Sequence, residues 1–392
     1  MKLSDRLQKV KPSSTMAMNS RVIELKASGR DVVGFAAGEP DFPTWDNVCE
    51  AAHQSIRNGE FKYTPVGGTP EMRHAITVKL ARDNALDYSQ AEVMASCGGK
   101  HTLYNAMQAL LSDGDEVVIP GPYWVSYPDM VALSGGVPRV LSTSEENGFL
   151  LSAAELEAAL TPATRMVILN SPSNPTGACY DEAGLRELGA VLERHDCVVL
   201  CDDVYEFVRY DGGRPPHLLT MFPSLRERTV VANSVSKTYA MTGWRVGYCA
   251  APANVIKAML TLQGQMTSNP SSIAQAAAVE ALTGPQSALA PMIEEFGRRR
   301  DYVCERFNAI DGLSVSPPGG AFYVFVNARD AFQRAGVDDG DAFALAMLDG
   351  ASVGVVGGND FGSSDHFRVS YATSMEQLSK GLDAIENWLG GL

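Results

Sequence analysis

Positive charge is in deficit in this chain: 32 lysines and arginines face 46 aspartates and glutamates over 392 residues, a net charge of −14. A protein that neutralises phosphates along a nucleic acid needs a basic face, so a nucleic-acid partner is excluded. Histidine is scarce, with six residues and no HxxxH pair, so no metal site is expected. The seven cysteines, at 49, 97, 179, 197, 201, 249 and 304, are odd in number, scattered and without CxxC spacing. They are expected to be reduced thiols, with Cys197 and Cys201 as small core residues flanking a strand. There is no long apolar span and no signal-like segment at Met1–Arg6, so the chain is expected to be cytoplasmic, with no membrane partner. Internal repeats, low-complexity stretches and charged tails are absent too. The densest charge run, Arg298-Arg299-Arg300-Asp301, reads as a solvated or salt-bridged helix face.

What is present is apolar and patterned. A hydrophobic content of 45% over this length is enough for a large core, and the length suggests two or three domains. Short runs apolar at every position, Glu116–Ile119, Met166–Leu169, Val198–Cys201 and Thr229–Ala232, alternate with helix-like stretches such as Ser152–Leu160 and Glu182–Arg194. Runs of that kind read as strands covered on both faces, the habit of a parallel sheet, so the middle of the chain is α/β. Further on, Ser287–Phe307 reads as a long helix and Gly320–Val326 as a strand.

Four motifs sit at the ends of these runs. In Asn233-Ser234-Val235-Ser236-Lys237-Thr238, an amine follows a strand, and Arg245 comes eight residues later. Hydroxyls and a guanidinium there suit a phosphate, and the lysine suits a Schiff base with pyridoxal phosphate. Ser96-Cys97-Gly98-Gly99-Lys100-His101-Thr102 follows the run Glu92–Ala95 and opens a helix-like stretch, Thr102–Leu111. Glycines let a phosphate approach the backbone, and free N–H groups at a helix start point at it; a Gly-rich turn without ligand reads equally well. Val198–Cys201 delivers Asp202 at a strand's C-terminal end, where it suits a protonated pyridine nitrogen or a helix cap. Tyr205 is placed to donate to the cofactor's phenolate oxygen. Asn170-Ser171-Pro172-Ser173-Asn174-Pro175-Thr176-Gly177 presents the Asn174 amide from a stiffened turn.

With these motifs in order, the chain resembles a fold-type I, class I aminotransferase of the branch that holds bacterial aspartate and prephenate aminotransferases. The resemblance runs from Lys11-Pro-Ser-Ser-Thr15 through Gly38-Glu39-Pro40-Asp41-Phe42, Tyr63-Thr64-Pro65 and Pro122–Tyr127 to Arg368–Ala372. It implies a large domain with a mostly parallel sheet flanked by helices, at 46–282. Residues 1–45, an N-terminal arm and part of the small domain, and 283–392 would make the smaller α/β domain. It implies pyridoxal 5'-phosphate as cofactor, and a homodimer with shared active sites.

The resemblance also distributes roles. Lys237 would carry the Schiff base and move the proton between the substrate Cα and the cofactor C4′, with Asp202 on the pyridine nitrogen. Asn174 and Tyr205 would bind the phenolate oxygen, and Trp124 would stack on the ring and border the substrate. Gly99, Lys100, Ser234 and Arg245 would hold the phosphate, joined by Tyr63 from the neighbouring subunit. Arg368 would grip the substrate α-carboxylate, helped by Asn174 and the Gly38 N–H.

Substrates are expected to be an amino acid and a 2-oxo acid: L-aspartate to 2-oxoglutarate by a ping-pong cycle, with prephenate as a further acceptor. Met266–Ser272 holds no arginine for a distal carboxylate, which leaves Lys11 and Lys100 for that task. Lys100 serving only the phosphate loop, and Lys11 as an exposed arm residue, stay open. The alternatives are an aromatic or other amino acid aminotransferase, or a β-eliminating lyase of the same fold.

Overall fold

Successive residues of the apolar runs point to opposite faces of one sheet, and each face has its own core. In the computed structural model, which describes Met1–Leu392, the sheet has seven strands. They are β1 (Val93–Ser96), β2 (Glu116–Gly121), β3 (Val137–Ser142), β4 (Thr164–Asn170), β5 (Val198–Asp202), β6 (Thr229–Ser234) and β7 (Gly247–Ala250). Val167, Leu169, Val199 and Cys201 enter one buried cluster, whereas Met166, Ile168, Val198 and Leu200 enter another. Helices Asp46–Arg57, Pro70–Lys79 and Ser272–Thr283 cover the first face, and Gly99–Leu110 and Ala253–Met266 the second. Double burial explains why these strands show no polar alternation.

The order across the sheet is β1-β7-β6-β5-β4-β2-β3. The pairs from β3 through β2, β4 and β5 to β6 are parallel, and β7 runs antiparallel to β6 and β1. The expected α/β class with a mostly parallel sheet is what forms. The helix after β1 starts at Gly99, three residues before the expected Thr102, because Gly98 takes a left-handed φ of 93° as its cap.

A second layer comes from both ends of the chain. Strands β8 (Tyr323–Asn327), β9 (Val356–Gly357) and β10 (His366–Ser370) form an antiparallel sheet in the order β9-β10-β8. β8 starts at Tyr323 rather than the expected Gly320, since Ala321 has a φ of 56° and breaks the extended run. Val33–Gly34 pairs in parallel with Val353–Gly354, and Val33 and Phe35 share a core with Phe296, Phe307 and Leu382. The long helix spans Leu289–Ala309. Its charge run is only partly solvated: Arg299 is buried, bonded to Asp41 at 2.7 Å and Glu295 at 2.8 Å, and so ties this helix to the Gly38–Phe42 segment. No helix is long and apolar enough to cross a membrane.

Behind the sheet's functional edge lies a fully buried polar cluster that sequence reading missed. Lys79 is ion-paired to Glu206, and its amine donates to Asn84 Oδ1 at 2.8 Å. Glu206 also accepts from Asn84 Nδ2 and Asn233 Nδ2, each at 2.6 Å, and Asn233 Oδ1 accepts the Ser234 N–H at 2.7 Å. Desolvated ions are tolerated only when paired, so removing one partner is costly. Lys79→Met is expected to lose about 3–5 kcal/mol of stability in chemical denaturation. The double substitution Lys79→Met, Glu206→Gln is expected to recover part of it; a loss under about 1 kcal/mol in the single variant would refute the pairing argument.

Candidate active site

Parallel pairing sets three polar side chains on one edge. Asn170, Asp202 and Ser234 are the last residues of β4, β5 and β6, with Asn170 in register with Asp202 and Asp202 with Ala232. They line a cavity of 460 Å³, which also receives Lys237 and Arg368. Ligands of open α/β sheets sit at this carboxyl edge.

Asp202 is buried at 4% exposure; its carboxylate accepts from the Tyr127 hydroxyl at 2.6 Å and from the Val204 N–H at 3.4 Å. Burial raises its pKa to about 6, against the pull of the Tyr127 hydrogen bond. It does not cap a helix. Lys237 is partly buried, and its amine donates to the Gly38 carbonyl. Desolvation first, and then the Arg368 charge, lower the amine's pKa to about 8. A lysine with a pKa near 8 is neutral in roughly one molecule in ten at pH 7, far more often than a free lysine, and the neutral form is the one a nucleophile or base needs.

An anion fits the opposite corner. Gly98 lies so close to Arg245 that a Cβ there would overlap the guanidinium. The helix from Gly99 has no side-chain cap, which leaves the first-turn N–H groups of Gly99 and Lys100 without intrahelical partners. Ser234 Oγ accepts the Ser236 N–H at 3.2 Å, so its own proton is free to be donated. Arg245 holds a left-handed φ of 57°, and its Nη1 donates to the Thr242 carbonyl at 2.8 Å. Exposed amides, hydroxyls and a guanidinium make a phosphate cradle, and the donor set fits the phosphate of the expected cofactor.

Arg368, on β10, is almost fully buried. It donates through Nη1 to Asn174 Oδ1 and through Nη2 to the Ala36 carbonyl, both at 2.9 Å, while its buried Nε has no partner. Its guanidinium lies 4.4 Å from the centre of the Tyr323 ring. Tyr323 in turn meets the Tyr205 hydroxyl at 2.8 Å.

Of the sequence-selected residues, Gly38, Gly99, Lys100, Trp124, Asn174, Asp202, Tyr205, Ser234, Lys237, Arg245 and Arg368 all line this cavity. The Trp124 ring is half-buried, edge-on to Tyr127, with the exposed Lys100 amine 4.9 Å from its centre. Two selected residues lie elsewhere. Tyr63 is exposed at 91%, and Lys11 is exposed and outside the lining, although its charge and that of Lys100 both act on Asp129. Tyr127, Ser236 and Tyr323 line the cavity without having been selected. Tyr127 stood three residues after Trp124, and Tyr323 lay within the Gly320–Val326 run; only their partners across the fold reveal them.

Residues 30–385 match the family model for aminotransferase class I and II. The chain is 49% identical to the aspartate/prephenate aminotransferase of Cereibacter sphaeroides, over 100% of this chain and 99% of that protein. It superposes on the aspartate aminotransferase from Rhizobium meliloti with a TM-score of 0.95 and 44% identity, over 100% and 99% of the two chains. The aspartate aminotransferase from Thermus thermophilus with maleate gives 0.93 and 40%, over 99% and 100%.

The packing at Gly98 gives a direct test of the cradle. Gly98→Ala is expected to displace Arg245 and to weaken pyridoxal phosphate binding by about tenfold or more, read as the dissociation constant of the cofactor, because both the φ and the contact forbid a Cβ. The lysine gives a second. With a pKa of about 8, the rate at which the cofactor-free protein captures pyridoxal phosphate at Lys237 should rise with pH and level off above 8. A rate still climbing steeply near pH 10 would mean an unperturbed amine.

Proposed function

The chain belongs to the class I and II aminotransferase family, and from that premise we propose that it transfers the amino group of L-aspartate to 2-oxoglutarate, with prephenate as a further acceptor. The observation that carries this reading is one cavity holding a depressed-pKa lysine, a buried carboxylate and a buried arginine with an unpartnered Nε. As an enzyme of this family it uses pyridoxal 5'-phosphate. When bound, the cofactor supplies a conjugated cationic ring that stabilises negative charge at the substrate α-carbon.

Each residue then has a task. Asp202 keeps a proton on the ring nitrogen; it is ionised above pH 6 even without that cationic partner, whose charge would lower its pKa further. Asn174 and Tyr205 hydrogen-bond the phenolic oxygen, and Trp124 covers a ring face. The amides of Gly99 and Lys100, with Ser234 and Arg245, hold the phosphate. Arg368 grips the α-carboxylate with Asn174 and the Gly38 N–H, which orients the Cα–H bond for reaction. Lys237 moves the proton between the substrate Cα and the cofactor C4′ as its base.

The Lys100 ammonium at the cavity mouth supports a second, distal carboxylate, as in aspartate; the maleate bound by the Thermus relative is likewise a dicarboxylate. Lys11 would assist from outside, through the field it shares with Lys100 at Asp129. We place the working form as a homodimer in which the exposed Tyr63 reaches the phosphate of the other subunit. The large domain in this reading is 46–282, supported by a core that runs from Trp45 to Leu282, with 1–45 and 283–392 forming the rest. Seven free cysteines support a reducing cytoplasmic setting.

The test is spectroscopic. L-aspartate alone should convert the absorbance band of the bound cofactor, and 2-oxoglutarate should restore it; an intact band that does not respond would remove aspartate and favour an aromatic donor or an elimination. Lys237→Ala should abolish turnover. Arg368→Lys should lower kcat/KM by roughly a hundredfold through loss of the planar fork, and an unchanged value would refute the clamp.

A further inference from the structure

The Tyr205 and Tyr323 hydroxyl oxygens lie 2.8 Å apart, both side chains are buried, and neither hydroxyl has another protein partner. Only one hydrogen atom fits between two hydroxyl oxygens. One hydroxyl must donate to the other, and the second proton is left to point elsewhere. Both residues line the cavity, so the direction of that single bond decides which tyrosine offers a proton to a ligand.

The surroundings break the symmetry. Arg368 stacks 4.4 Å from the centre of the Tyr323 ring. Burial raises both phenols and the Arg368 guanidinium opposes the rise at both; at Tyr323 it is the next influence after burial, whereas at Tyr205 it ranks behind Tyr323 itself, which favours Tyr323 as the donor of the pair. The other charged or titratable groups acting here are Lys237 and Asp202 near Tyr205, and Glu39 near Tyr323. Tyr323 is also held from the front: a Cβ on Gly38 would lie 2.9 Å from its hydroxyl oxygen, so the Gly38 backbone, which accepts the Lys237 amine, packs directly against it. From behind, β8 pairs Tyr323 with Ser370 of the strand that carries Arg368.

We infer that Tyr323 is a positioning residue: its hydroxyl donates to Tyr205 and thereby turns the Tyr205 proton toward the phenolic oxygen of the cofactor. The inference rests on the role proposed above for Tyr205. Tyr323 links the carboxylate clamp on β10 to the cofactor's electronic state, because its ring touches Arg368 while its hydroxyl sets Tyr205. Chained hydroxyls also polarise one another, so Tyr205 becomes a stronger donor than it would be alone.

The readout is the pH midpoint of the bound cofactor's absorbance change in the substrate-free holoenzyme. A donor on the phenolic oxygen stabilises its negative charge and lets the nearby nitrogen that joins Lys237 to the cofactor lose its proton more easily. Tyr323→Phe should therefore raise the midpoint by at least about 0.5 pH unit, the size of one net hydrogen bond. Tyr371→Phe is the control, since the buried Tyr371 also bonds a second tyrosine, the half-buried Tyr210, at 2.8 Å, outside the cavity lining, and should leave the midpoint unmoved. Tyr205→Phe should raise it at least as far as Tyr323→Phe. A shift in Tyr205→Phe without one in Tyr323→Phe overturns the inference alone. No shift in Tyr205→Phe overturns the Tyr205 role and the inference with it, and equal shifts in Tyr323→Phe and Tyr371→Phe overturn it in favour of general loosening.

Discussion

A carboxylate at 4% exposure, Asp202, ends the central strand β5, and much of the molecule is organised by the cost of holding it there. Burial alone would favour the neutral acid. The Tyr127 hydroxyl, the Val204 N–H and the nearby Lys237 charge act the other way and keep its pKa near 6. Only the Val204 N–H is local, two residues on; Tyr127 lies 75 residues away, so the state of Asp202 depends on the sheet register and on the helix that carries Tyr127. Only a doubly covered parallel sheet places a strand end so deep while leaving one edge open to a ligand.

The same economy governs the other buried charges. Arg368 spends two of its donor groups on Asn174 and Ala36 and leaves Nε unpartnered beside the cavity. Lys237 responds to burial and to Arg368 by giving up proton affinity, which is what its chemistry needs. Lys79 and Glu206, by contrast, satisfy each other with Asn84 and Asn233 and face no ligand, so their contribution is to hold the β6 end that leads to Ser234. Buried polarity in this protein is thus of two kinds, fully paired where it supports and partly unpaired where it binds.

Much of the site was legible before any coordinates because its residues lie at ends of strongly apolar runs. Asp202 and Ser234 end a strand, and Gly99, Asn174 and Lys237 follow one by a few residues; a parallel sheet brings such positions to one edge. Tyr127 and Tyr323 were not legible as site residues, since their importance lies in one hydroxyl bonded to a residue 75 or 118 positions away. The charge run at Arg298–Asp301 misled in part for the same reason: Arg299 finds Asp41, 258 residues distant, and is buried by that contact.

Local patterning was therefore sufficient for the α/β class, for the strands and helices to within a few residues, and for the chemical type of the site, because apolar periodicity and turn residues act over short stretches of chain. Long-range packing had to supply the rest. Whether Asp202 is buried or caps a helix, whether Lys237 is partly neutral, and whether Lys11 faces the cavity are questions of solvent exclusion and distance to charges far along the chain. Those quantities exist only once both ends of the chain have closed over the sheet edge.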